Sequence, residues 1–199
     1  MKLSKTLAAV ALCALVPALQ AQVVLNEVCV SNQTGISVTD PFNGGNDNED
    51  WVELFNTSGA AVDLSGWHLS DDPADPNKWA FPAGASIPAN GHLVVLCSGW
   101  NGLYSGYYCT SFKLNQTSQD YIVLADGGGT IQDQYQLLAR TKLDNSRSRT
   151  PDGNGSWSLT TTPTPNATNS AAVPEYEQRP QLSPDAGFYA GAQNVTITG

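Results

Sequence analysis

The stretch DWVELFNTSGAAVDLSGWHLSDD, residues 50–72, decides the fold. Its first part, WVELF, alternates bulky and polar residues, NTSG is typical turn chemistry, and residues 62–69 are a second apolar run. The stretch therefore predicts two β-strands joined by a turn. Each aromatic side chain buries a large apolar surface, so Trp51 and Trp67 are predicted to supply much of a small sandwich core.

The flanking sequence repeats this pattern of short strands and turns. VVLNEVCV precedes the central stretch, and HLVVLC, DYIVLA and IQDQY follow it, with glycine-rich turns between them at spacings of roughly 10 residues. The chain has 18 glycines, 12 prolines and few helix-periodic runs. An all-β sandwich is predicted.

Charge and the N-terminal segment restrict the function. Residues 1–21 have a basic start, an apolar stretch and a small-residue end, which predicts a signal peptide cleaved after Ala21 and a secreted protein without a membrane span. Without Lys2 and Lys5, 7 basic residues face 18 acidic ones, a net charge of −11. Such a surface repels phosphate backbones and anionic membranes, which disfavours nucleic-acid binding.

Export places the remaining cysteines in a compartment that permits disulfides. Cys97 and Cys109 flank a Gly/Tyr-rich loop, and the sequence predicts that they pair, with Cys29 a buried thiol. A pair between Cys29 and Cys97 is the alternative, which would require their strands to be neighbours.

Two loops are rich in acidic residues. Calcium takes clustered oxygen ligands, so the loops predict either a calcium site or a solvated acidic surface, and the second is favoured. The candidate ligands are Asp47, Glu49, Asp50, Asp71 and Asp72, with Asp75 beside them. No other cofactor is indicated.

Aromatic residues crowd the loop between Cys97 and Cys109. Aromatics on a rigid loop bind sugar rings or protein surfaces in many modules, and the alternative is that they cover a sheet edge. The sequence does not separate the two interpretations. The four candidate binding residues are Trp100, Tyr104, Tyr107 and Tyr108.

No catalytic motif is found. The chain lacks a G-x-S-x-G, a Walker loop and an H-E-x-x-H motif, and His68 and His92 are interpreted as strand-face residues. Glu27 and Glu53 lie in predicted strands. They would share a cation or a glycan hydroxyl if the strands are adjacent, but the favoured interpretation is that they accept from buried donors or from Arg149.

In their order along residues 22–169, several segments resemble the lamin tail domain. The resemblance implies an immunoglobulin-like sandwich of the exported bacterial branch, with loops 31–49 and 97–109 as insertions. The matching segments are LNEV (25–28), DWVELFN (50–56), DLSGW (63–67), LSD (69–71), WAFP (79–82), FKL (112–114), Asp133, RTPDG (149–153) and TPTP (162–165) before Asn169.

After a predicted linker at residues 170–178, a new β pattern begins at residue 179. It resembles the start of the small C-terminal sandwich of chitobiase and β-hexosaminidase enzymes and breaks off in mid-strand at Gly199, which predicts the N-terminal part of a second β-sandwich in a longer chain. The residues of this resemblance are Pro180, Ser183, Pro184, Gly187, Phe188, Tyr189, Val195, Thr196 and Ile197.

Together these observations predict a secreted, non-catalytic binding or tethering module that engages protein or polysaccharide at a cell surface. Two alternatives stay open. The chain is an accessory domain of a larger enzyme, hydrolase or spore-coat-type kinase, whose catalytic part follows Gly199, or it is a calcium-stiffened structural spacer. Fold alone does not decide among them.

Overall fold

A computed structural model describes residues 22–115, 117, 120–137, 141–173, 181–183 and 187–198. The predicted signal peptide lies outside these residues. The described residues form β-strands and no helix. The strands are β1 (Val23–Cys29), β2 (Val38–Thr39), β3 (Asn46–Asp47), β4 (Trp51–Asn56), β5 (Val62–Asp63), β6 (His68–Ser70), β7 (Trp79–Ala80), β8 (Ser86–Ile87), β9 (His92–Leu96), β10 (Gly102–Tyr104), β11 (Tyr107–Cys109), β12 (Tyr121–Ala125), β13 (Ile131–Gln136), β14 (Ser146–Thr150), β15 (Ser156–Thr160), β16 (Gln181–Ser183) and β17 (Thr196–Thr198).

Two sheets form the sandwich. The larger has the order β10-β11-β9-β4-β1-β14-β15, and the smaller has the order β13-β12-β6-β7. Neighbouring strands are antiparallel except β9 and β11, which are parallel. The pairs β2-β3, β5-β8 and β16-β17 form separate two-stranded sheets. The prediction of an all-β, immunoglobulin-like sandwich is confirmed.

The main core lies between the two sheets. Alternation along β4 turns Val52 and Leu54 inward, where they pack with Leu69 of β6 and Leu124 of β12. Trp67 packs against the margin of this core, as predicted.

A second apolar cluster lies on the outer face of the larger sheet. The prediction that Trp51 fills the sandwich core is wrong, because the same alternation that turns Val52 inward turns Trp51 outward. Trp51 is 1% exposed. This outer cluster consists of Cys29, Val38, Trp51, Val94, Leu96 and Cys109, with Ile36, Trp100, Tyr104 and Tyr107 packed against it.

The predicted disulfide between Cys97 and Cys109 is not formed, and all three described cysteines are buried free thiols. In the parallel register Cys109 lies beside Leu96. Cys97 follows Leu96 and therefore faces the opposite side of the sheet. Cys29 is on the face of Cys109, but strands β4 and β9 separate them, a span of about 14 Å. The alternative pairing of Cys29 with Cys97 is wrong as well. Strand β4 lies between β1 and β9, and two strand spacings, about 10 Å, exceed the roughly 7 Å between Cα atoms that a disulfide permits.

A side-chain clamp joins β1 to the smaller sheet. The β1–β4 register shifts between Leu25 and Glu27. Leu25 N donates to Asp133 Oδ2 at 3.0 Å, and Arg149 Nε donates to Leu25 O at 2.9 Å. Arg149 Nη2 also bonds both Asp133 oxygens at 3.0 and 2.9 Å. One ion pair therefore satisfies the backbone of a central strand where its pairing with β14 has ended.

The segments outside the sandwich are described only in part. Of the predicted linker and second domain, β16 and β17 form an antiparallel pair. The domain boundaries, the start of a second sandwich and its resemblance to chitobiase stay predictions. No helix that could span a lipid bilayer occurs in the described portion of the chain.

Candidate functional site

The predicted aromatic loop is a β-hairpin at the edge of the larger sheet. Strands β10 and β11 pair from Gly102 with Cys109 to Tyr104 with Tyr107. Their two-residue turn has positive φ angles, 50° at Ser105 and 84° at Gly106, as in the type I′ turns that match strand twist. The hairpin positions its side chains rigidly on both faces of the sheet.

The four predicted aromatic residues are divided between these faces. Tyr108 faces the main core and meets Phe81 edge-on at 5.8 Å between ring centroids. Trp100, Tyr104 and Tyr107 lie on the outer face, where they cover the outer cluster. Trp100 and Tyr104 meet edge-on at 6.0 Å. Trp100, Tyr104 and Tyr107 therefore help to cover the sheet, and ligand binding by the four aromatic residues stays a prediction.

Two apolar side chains beside these aromatics remain exposed. Leu103 projects from β10 and is 61% exposed. Phe42, from the turn between β2 and β3, is 73% exposed, and its ring centroid lies 6.3 Å from that of Tyr104. The sequence did not single out either residue, although Leu103 stands within the loop that it did single out.

A groove of about 480 Å³ lies between β7, the edge of the smaller sheet, and β10, the edge of the larger. None of its lining side chains is charged. They are Trp79, Ala80, Pro82, Ala83, Gly84, Asn101, Gly102, Leu103 and Tyr108. A neutral ligand with apolar faces fits this chemistry, because small-ligand sites are mostly apolar with a few polar groups. Sequence reasoning missed the groove, since it depends on which strands end at the same side.

The acidic residues proposed as calcium ligands do not form one ligand set. Glu49 is bound by Lys113 Nζ at 2.8 and 3.0 Å, and Asp71 by Lys78 Nζ at 2.5 Å. Asp72 Oδ1 accepts from the amide of Ala74. In the described ranges no three His, Cys, Asp or Glu side chains are grouped to hold a metal ion. These residues do not fit a calcium site as they stand, and calcium binding stays a prediction.

Asp50, also named as a calcium ligand, differs in its environment. The pKa of its carboxyl is raised to about 6, chiefly by burial and in part by the neighbouring Glu49, against the lowering effect of the backbone amide of Asn32. Asp47 belongs to the small β2–β3 hairpin. The two side chains therefore lie in different surroundings.

Glu27 and Glu53 are directly opposite each other on β1 and β4 and are fully buried. Glu27 accepts hydrogen bonds from the Ser146 hydroxyl and from the amide and hydroxyl of Thr164, at 3.2 and 3.0 Å. Burial raises the pKa of Glu27. Backbone and hydroxyl donors therefore satisfy this carboxylate, as the favoured interpretation proposed, whereas Arg149 bonds Asp133 instead.

Glu53 joins a network that the sequence did not predict. Asn26 Nδ2 donates to Glu53 Oε1 at 3.1 Å and to Asp152 Oδ1 at 3.2 Å, and the amide of Asn166 donates to Glu53 Oε2 at 2.5 Å. The pKa of Glu53 is raised to about 8, chiefly by burial and in part by the charges of Glu27 and Asp152. The network fastens the segment after β15 to the sheet.

His92 lies at the edge of this network. Its Nε2 is 3.2 Å from Asp152 Oδ2 and 4.0 Å from Glu53 Oε1, and its ring packs at 4.8 Å on Phe55. His68 Nδ1 lies 3.3 Å from the Asp126 carbonyl oxygen. Both histidines occupy strands, as predicted. The partnership of His92 with Asp152 joins residues 60 positions apart, and no sequence spacing announces it.

Comparison with known proteins identifies the sandwich. A family model described as Lamin Tail Domain matches residues 18–138, more than half of the 199-residue chain. No curated protein matches the chain. The matched range contains the groove, the aromatic hairpin and both buried glutamates.

Proposed function

The chain belongs to the lamin tail domain family, and we propose that it is a non-catalytic binding or tethering module of a secreted protein. Its ligand is a protein or polysaccharide at a cell surface. The groove between β7 and β10 carries this proposal, because it combines aromatic and apolar walls with an exposed leucine at its rim.

The chemistry of the groove favours a neutral ligand. Trp79 and Tyr108 offer aromatic surface, and Asn101 offers an amide that both donates and accepts hydrogen bonds. Sugar rings and extended peptides both present apolar faces beside hydrogen-bonding groups. The net charge of −9 repels polyanions elsewhere on the surface. Export and the surface location rest on the predicted signal peptide.

Leu103 gives the cleanest test of the groove. Its side chain is 61% exposed, so Leu103→Asp should leave the fold intact, whereas removing Trp100 or Tyr104 would uncover the outer cluster. We expect Leu103→Asp to reduce retention of the chain on surface material by about tenfold, equivalent to about 1.4 kcal/mol. The measurement is a pull-down on insoluble polysaccharide and on protease-treated and untreated cell surfaces.

The matched control is Ile131→Asp. Ile131 is also exposed and lies on β13, the edge strand at the other end of the smaller sheet. The Ile131→Asp substitution adds the same charge as Leu103→Asp at a site outside the groove. Equal retention of the two variants would contradict binding at this site. If the unaltered chain is retained on untreated cell surfaces but not on protease-treated ones, the ligand is a protein and not a glycan.

A further inference from the structure

A second cleft, of about 340 Å³, opens on the outer face of the larger sheet. It lies within the range of small-ligand pockets, about 300–1,000 Å³. Its lining is largely apolar, with the polar side chains of Asn32 and Thr34 and one ionised side chain, Asp144. The remaining lining residues are Cys29, Gly35, Ile36, Trp51, Pro163 and Pro165. None of them lines the groove between β7 and β10.

The cleft is a region of negative potential. Hydrogen bonds from the amides of Gln33 and Thr34 hold the pKa of Asp144 below its usual range, so this carboxylate is charged. The pKa of the Cys29 thiol is raised to about 12, chiefly by burial and in part by the charges of Asp50, Glu27 and Asp144. The ion pairs Lys78–Asp71, Lys113–Glu49 and Arg149–Asp133 do not include Asp144. The complementary ligand is a cation.

The remaining acceptor position of the Asp144 carboxylate suits an ammonium group better than a guanidinium. Oδ1 already accepts two backbone amides, from Gln33 at 2.6 Å and Thr34 at 2.8 Å, and Oδ2 accepts the Thr34 hydroxyl at 2.8 Å. A carboxylate has about four acceptor positions. The one that remains cannot form the two parallel bonds of an arginine fork, but it can meet a point charge.

The walls suit the stem of the same side chain. Ile36, Pro163 and Pro165 present aliphatic surface between the rim and the floor. Lysine buries its four-carbon stem along apolar surface while its ammonium reaches a polar group. A sugar would need several hydrogen-bonding partners, whereas the Gly35 amide is already bonded to Asn32 Oδ1.

We propose that this cleft binds a lysine side chain of a partner protein, with the stem against Ile36 and the two prolines and the ammonium on Asp144. The site is independent of the groove between β7 and β10. It gives an acidic chain, with a net charge of −9, a specific position at which to engage a basic protein surface.

The test is an NMR titration of the ¹⁵N-labelled chain with Nα-acetyl-lysine methylamide and with its neutral counterpart, Nα-acetyl-norleucine methylamide. We expect saturable shifts of the Trp51 indole and Gly35 amide signals with the lysine compound. The norleucine compound should bind about two- to fivefold more weakly, as for a partly exposed ion pair, and raised salt should reduce the difference. These measurements need no variant.

The variant Asp144→Asn should bind both compounds equally. The matched control is Asp40→Asn, because Asp40 is also a half-buried residue whose carboxylate accepts from backbone amides, at Phe42 and Asn43, but it lies outside the cleft. Equal affinity for the two compounds in the unaltered chain would overturn the proposal. So would the absence of saturable shifts, or an equal loss in both variants, which would indicate general surface charge.

Discussion

Gly155 occupies a position that no other residue can take. A Cβ atom there would lie 2.2 Å from the carbonyl carbon of Thr150 and 2.3 Å from its oxygen. These are backbone atoms of the tight turn between β14 and β15, and Gly155 N itself donates to Pro151 O at 2.9 Å. Relief of the contact therefore requires moving two paired strands.

The variant Gly155→Ala should destabilise the chain by about 2–3 kcal/mol, as for overpacking of a rigid site. Urea unfolding measures the change. The control is Gly59→Ala, because nothing lies within 4 Å of a Cβ at Gly59, and its effect should stay within about 0.5 kcal/mol. A similar small change in both variants would show that the turn is free to adjust.

Glu53 makes stability depend on pH. Its pKa is raised from 4.5 to about 8 in the folded chain, chiefly by burial. Between these pH values the folded state holds a proton that the unfolded state releases, so its stabilising contribution is present below pH 4.5 and is lost as pH rises through 8. Glu27 and Asp50, whose pKa values are also raised, act in the same direction.

We expect the melting temperature to fall as pH rises from 5 to 8, and to fall less in Glu53→Gln, because glutamine stays neutral at every pH. Circular dichroism at a series of pH values measures this. Asp75→Asn removes an exposed carboxylate and should reproduce the unaltered profile. An unchanged slope in Glu53→Gln would show that this carboxyl is ionised in the fold.

At the scale of elements, the clamp between Asp133 and Arg149 joins three strands of two sheets. Asp133 belongs to β13, Arg149 to β14, and both bond the backbone of Leu25 in β1. The guanidinium also lies 5.0 Å from the ring centroid of Trp157, which in turn stacks at 4.1 Å on Tyr135. The ion pair, the backbone hydrogen bonds and the aromatic contact therefore all depend on the position of the Arg149 side chain.

Asp133→Asn should destabilise the fold by about 3 kcal/mol, because it leaves the largely buried guanidinium without its counter-charge. The matched control is Asp71→Asn, which breaks the more exposed pair with Lys78 and should cost at most about 1 kcal/mol. Thermal or urea unfolding of both variants tests this. Equal losses would contradict a special role for the clamp.

The positions of strands along the chain were predictable from the sequence. Which face of each strand is turned toward the core, and which strands pair with each other, was less predictable. The alternation in WVELF and the apolar run HLVVL located β4 and β9. The sequence could not show that Val52 faces the main core and Trp51 faces away from it. Both faces of this sheet are apolar, so the alternation alone does not tell which face is turned toward the other sheet. The sequence also did not show that β11 lies parallel to β9. In this register Cys109 lies beside Leu96, so Cys97 faces the opposite side of the sheet and the predicted disulfide cannot form.

The candidate site was predictable only at the level of a loop. Clustered aromatics drew attention to residues 98–108, yet the groove also needs Trp79 and Pro82 from the other sheet. Such a juxtaposition comes from the ends of two sheets meeting in space. The Glu53 network likewise joins residues up to 126 positions apart, which no local pattern encodes.

At the scale of the whole molecule, the larger sheet is buried on both faces and needs no covalent bridge. We expect a reducing agent to leave the melting temperature unchanged. Cys29, Cys97 and Cys109 should react with a thiol reagent only after denaturation, since all are buried. A reagent count before and after unfolding measures this. A fall in melting temperature on reduction would contradict the free-thiol structure.

The fastening of residues 161–169 to β1 has a mechanical consequence. Thr164 bonds Glu27, and Asn169 Nδ2 bonds the carbonyl of Asn26 at 3.1 Å and that of Arg149 at 2.8 Å. The chain thus leaves the sandwich beside the strand by which it enters. Tension applied to the two ends would pass across these few bonds, and the groove and hairpin on the far side of the sheet would carry little of the load.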